Sequence, residues 1–160
     1  MTEPPFDVTR AHRWFGVECN NRGWDLVEAA ERTPDEVEEM IHSAHAAWLH
    51  WKPVGTLLNE MRAENLLAMA YCVAGVSDRA LWHARRCLAL SEQAGDTQTP
   101  FDRASAWGAL SRVLAAAALT NPSFQAEAAA ARENLNELTL LIPKPDARAV
   151  IEKLFHAPVT

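Results

Sequence analysis

The chain has 160 residues, 49% of them hydrophobic and 22% charged, which is enough for one domain with a sizeable core and excludes an intrinsically disordered polymer. A net charge of −6 with no compensating basic stripe argues against phosphate-backbone binding, and no apolar run reaches membrane-spanning length. Three cysteines, Cys19, Cys72 and Cys87, lack metal-ligand spacing and sit in apolar helical company. They read as buried thiols of a reducing compartment, and the start of the chain has no basic segment followed by an apolar run, so a cytoplasmic location is expected.

Residues 1–6 read as a tail, followed by a first helix from Asp7 or Thr9 to Ala30 with an apolar stripe of Trp14, Phe15, Val17, Cys19, Trp24, Leu26 and Val27. Gly16 and Gly23 weaken that helix by propensity. Thr33-Pro34-Asp35-Glu36 predicts a capped helix start, and Val37, Ile41, Ala44, Trp48 and Trp51 continue it at three-and-four spacing until Pro53. A third helix runs from Val54 or Thr56 to Ala74. Gly75 stops it, and Ser77 or Asp78 caps a fourth helix reaching Ala94. Thr99-Pro100-Phe101-Asp102 repeats the threonine-proline start for a fifth helix to about Leu119. Asn121-Pro122 opens a sixth that ends before Pro143, and residues 146–155 form a short cap. Period-two alternation is absent. The expectation is an all-α domain of about seven helices, paired as residues 7–52, 54–95 and 99–142, with a capping helix over 146–156.

Side chains able to do chemistry are few and scattered. Glu38, His42 and His45 share one face of the second helix, and Glu39-x2-His42 has the spacing of dinuclear carboxylate bundles. Such bundles need a second Glu-x2-His pair, and none is present. A polar helix flank is therefore the plainer reading, with a small metalloprotein or metal-dependent enzyme as the alternative. No cysteine or serine sits in a nucleophile motif, and the six glycines form no phosphate loop. The chain is accordingly read as a non-enzymatic protein with no cofactor. Six tryptophans are many for its size, and most are expected to be interior or interfacial; a structural homodimer built on exposed ones is a further alternative. Arg79, Arg85 and Arg86 give the fourth helix a basic, solvated face.

Residues 64–90 carry one family signature. Leu67-Ala68-x2-Tyr71 matches the first helix of a tetratricopeptide unit, with Glu64 where tryptophan is usual. Ala80 follows Ala68 at the twelve-residue spacing that lets the two helices touch, and Trp107-x2-Leu110-Ser111-x2-Leu114 is a second half-match. The chain thus resembles the tetratricopeptide-like superfamily of α-hairpin repeats, as a small, divergent bacterial member. The resemblance covers roughly residues 56–142. It implies antiparallel hairpins stacked in a right-handed superhelix, with the first helix of each pair lining a concave groove. By the family pattern that groove is faced by Arg62, Asn65, Met69 and Cys72 on the third helix and by Ser105, Gly108 and Arg112 on the fifth. The partner it implies is a protein or peptide segment, or a second copy of the chain, with neither nucleic acid nor membrane involved. Arg62 and Arg112 would hold carboxylates of such a segment unless they pair with neighbouring acids such as Glu60 or Glu64. Gly108 would admit the segment's backbone.

Overall fold

The computed structural model describes residues 4–156, so the first three residues of the expected tail lie outside the described residues. The described residues form seven α-helices: α1 (Val8–Glu28), α2 (Pro34–Trp51), α3 (Leu57–Val73), α4 (Ser77–Ala94), α5 (Pro100–Thr120), α6 (Gln125–Leu140) and α7 (Pro145–Ile151). Single 3-10 turns lie at Gly95–Thr97 and Pro122–Phe124, and a π-helical turn, Glu152–His156, follows α7. There is no strand among the described residues.

The helix starts follow local chemistry. Thr33 accepts from the Glu36 amide while the Glu36 carboxylate reaches back to the Thr33 amide, closing a capping box with proline in the first turn. Thr99 and Asp102 do the same for α5, as do Thr56 and Asn59 for α3. Gly75 and Gly95 carry the left-handed backbone at the ends of α3 and α4, with φ of +73° and +51°. Two expected caps differ. Ser77 and Asp78 lie inside α4, whose N-cap is Val76 without a side-chain bond. Asn121 caps the short Pro122–Phe124 turn through the Ser123 amide, which delays α6 to Gln125.

Helices α1 and α2, α3 and α4, and α5 and α6 make the most extensive pairwise contacts, and α3 touches α1, α2 and α5 besides its own partner. Residues 63–70 of α3 are consecutively buried, so this helix makes contacts on every side, apolar except at Glu64 and Asn65. Full burial of a leucine such as Leu66 or Leu114 stabilises by ~1.5–3 kcal/mol. Ala80 and Ala84 of α4 and Ala68 of α3 are completely inaccessible, which permits close approach of the two axes.

The first helix buries only part of its expected apolar stripe. Leu26 and Val27 are buried and Trp24 is half-covered, but Trp14, Phe15 and Val17 are exposed, and Gly16 and Gly23 are buried in their place. A Cβ at Gly16 would lie 2.8 Å from Trp51, and one at Gly23 2.8 Å from Leu66. The two glycines are thus contact points for α2 and α3, and packing there outweighs their poor helix propensity. None of the six tryptophans is fully buried: Trp24, Trp48, Trp51 and Trp107 are half-covered, and Trp14 and Trp82 face solvent.

Candidate functional site

Helices α1, α3 and α5 share one face of the domain, and the C-terminal segment lies against it. Ile151 and Phe155 of that segment are buried, and Phe155 packs over Gly108 so closely that a Cβ there would sit 2.5 Å from its ring. The Arg132 guanidinium donates to the Phe155 carbonyl at 2.9 Å, and Lys153 pairs with Glu28 of α1 at 2.6 Å. The turns from Pro145 to His156 therefore occupy the middle of the face and divide it in two.

The first half is a cleft of about 250 Å³. Trp24 and Phe101 form apolar walls with Met61 below, and Val150, Leu154 and Phe155 close it from the C-terminal side. Arg62 stands at its rim, its side chain 54% exposed, and donates through Nε and Nη2 to the two oxygens of the buried Asp102 at 2.9 and 3.2 Å. Burial pushes the Asp102 carboxyl up, but hydrogen bonds from Arg62 and Thr99 outweigh it and hold the group below its ordinary range. Asn65 contributes to the cleft wall. Its Nδ2 donates to the Ser105 carbonyl at 2.8 Å, and its buried Oδ1 has no hydrogen-bond partner.

The second half is a more polar cavity of about 370 Å³ beside Met69, Cys72, Arg32, Arg112 and Lys153. Burial raises the Cys72 thiol in spite of the nearby Arg112 charge, so this cysteine is held as an unreactive thiol. Of the side chains expected to face one groove, Arg62, Asn65 and Ser105 meet in the cleft, Met69 and Arg112 lie in the second cavity, and Gly108 is under Phe155. The acid that takes Arg62 is Asp102, from the next pair, while Glu60 receives Arg86 and Lys52.

The chain has no match among protein-family models, curated proteins or solved structures.

A second polar cluster joins α2, α3 and α4. Glu64, only 1% exposed, accepts from Trp48 Nε1 at 3.0 Å, Arg86 Nε at 2.9 Å and His83 Nδ1 at 2.7 Å. Tyr71 stacks flat on His83, and its hydroxyl bonds His45 Nε2 at 2.8 Å. His45 therefore turns into the domain while His42 faces solvent, so the two do not converge. Among the described residues no group of three or more His, Cys, Asp or Glu is placed to hold a metal ion. On the outer face of α4, Arg85 pairs with Glu127 and Arg79 lies over the Tyr71 and Trp82 rings. No helix among the described residues is long and apolar enough to cross a membrane.

The missed components of the cleft are Trp24, Phe101 and the C-terminal segment. The spacing of Ile151, Leu154 and Phe155, three then one, marks an apolar helical face that needs a cover. A glycine in the middle of α5 marks where a bulky side chain can land.

Proposed function

We propose that the protein is a non-enzymatic, tetratricopeptide-like interaction module that binds a segment of a protein partner at the cleft between α1, α3 and α5. The observation that carries this reading is the cleft itself. It is a mostly apolar, open depression of about 250 Å³ at the junction of three helices, flanked by Trp24 and Phe101 and rimmed by a fixed arginine. Interaction sites concentrate their energy in such pockets, where one side chain of the partner is desolvated. At this volume the cleft is below the ~300–1,000 Å³ typical of small-molecule sites and suits a single anchoring side chain. Arg62 is already neutralised by Asp102, so it serves the partner as a hydrogen-bond donor to a backbone carbonyl more than as a carboxylate clamp.

A random peptide library displayed on phage tests this. Peptides selected on the parent protein are expected to lose binding to a folded Ser105→Trp variant, in which the new side chain fills the cleft. Selected peptides that bind parent and variant equally would place the interaction elsewhere and remove the reading.

A further inference from the structure

The outward side of α1 carries a stripe with an order of its own. Arg10, Trp14, Val17, Asn21, Trp24 and Glu28 follow one another at spacings of four, three, four, three and four, which puts them in a single line along the helix. Trp14 is 57% exposed, Arg10, Val17, Asn21 and Glu28 are exposed, and Trp24 is half-covered at the edge of the cleft. The packing of α2 and α3 falls on the other side of the helix, at Gly16 and Gly23. Alternating steps of four and three are the pattern of a seam between two helices.

The stripe is its own complement when reversed. A second α1 laid antiparallel sets Arg10 against Glu28, Trp14 against Trp24 and Val17 against Asn21, and two-fold symmetry repeats each pairing. Arg10 also comes within one turn of the exposed Asp25. Glu28 gives Oε2 to Lys153, and a carboxylate has a second oxygen to accept with. A parallel pair would instead place Arg10 on Arg10 and Glu28 on Glu28.

We infer that α1 is the interface of a homodimer, in which two copies pack their outward stripes antiparallel about a two-fold axis between Val17 and Asn21. This surface is separate from the proposed use of the cleft. From Arg10 to Glu28 the seam is ~27 Å long at 1.5 Å per residue, and a helix with side chains is ~10 Å wide. That footprint is well below the ~800 Å² per partner of a stable complex, and the charge of −6 on each copy adds repulsion at long range. The dimer is therefore weak, with a Kd of ~10–100 µM.

The experiment is sedimentation velocity of the whole chain at ~5–500 µM in ~0.15 M salt, where charges are screened beyond ~8 Å. The parent should pass from monomer to dimer over that range. Trp14→Ala should weaken the dimer ~30-fold, as loss of a central tryptophan does. Arg10→Glu brings like charges level and should weaken it ~10-fold, and adding Asp25→Arg to Arg10→Glu should restore most of that loss. Circular dichroism checks that each variant folds; should Trp14→Ala fail to, the Arg10 and Asp25 variants decide. A parent that stays monomeric to 500 µM would overturn the inference and leave the stripe to a different partner. A dimer indifferent to both single changes would place the interface elsewhere, and a loss with Arg10→Glu that Asp25→Arg does not rescue would overturn the antiparallel pairing.

Discussion

Replacing Glu64 by leucine breaks the polar junction of α2, α3 and α4, and the size of the loss follows from its partners. His83 is 4% exposed, so its Nδ1–H has no water to turn to when the carboxylate is removed, at a cost of ~1–3 kcal/mol. Trp48 Nε1 is part-buried and loses its acceptor as well, for about 1 kcal/mol. Arg86 is 39% exposed and keeps Glu60 at 2.7 Å, so its share is ~0–1 kcal/mol. The leucine returns some apolar burial, and the net loss is ~2–4 kcal/mol. For a domain of this length that is a fall in Tm of ~4–16 °C. Far-UV circular dichroism melts and urea titrations with an unchanged slope are the assay. The partner change Glu64→Leu with His83→Phe removes the stranded donor and should recover at least ~1 kcal/mol of the single-mutant loss. A Glu64→Leu protein that melts within about 1 °C of the parent, or a double mutant whose losses simply add, would refute the assignment of this network as a stabilising junction.

Gly108→Ala forces the buried Phe155 ring away, and the overpacking cost of ~1–3 kcal/mol exceeds the ~1 kcal/mol gained in helix propensity; the Tm should fall, and limited proteolysis should cut near the C-terminal segment earlier. Ala80→Leu inserts a large side chain into the fully buried α3/α4 contact and should cost ~1–3 kcal/mol by urea titration. Burial and the neighbouring His12 lower the pKa of His50, and burial with His83 and Arg79 nearby lowers that of His45. Below the ordinary histidine value of 6.5 the unfolded chain takes up protons that these two resist when folded, so stability should decline as pH falls from about 6.5 toward 5. A His50→Gln variant should show a flatter profile in the same window.

The helices were legible because their starts are chemical. Thr33-Pro34 and Thr99-Pro100 announce α2 and α5, and Gly75 and Gly95 end α3 and α4. Which face each helix buries was less legible. In α1 the N-terminal half of the apolar stripe, Trp14, Phe15 and Val17, is exposed, because the neighbours require the glycine side; only the positions of Trp51 and Leu66 in space reveal it. The cleft was half legible. Arg62, Asn65 and Ser105 were expected there from the resemblance to the tetratricopeptide pattern, but Asp102 looked like a capping residue alone and takes Arg62 as well. Trp24 and Leu154 arrive from opposite ends of the chain, and no local pattern encodes that meeting.

The pairing of Lys153 with Glu28, 125 residues apart, ties the C-terminal turn to the first helix. In an open stack each hairpin answers only to its neighbours, and growth can start and stop anywhere along the row. Here the Glu152–His156 turn reaches the first helix, so elements far apart in sequence touch directly and not only neighbouring ones. A contact across so many residues has an entropic cost that must be met before it forms, which makes it a long-range step of folding.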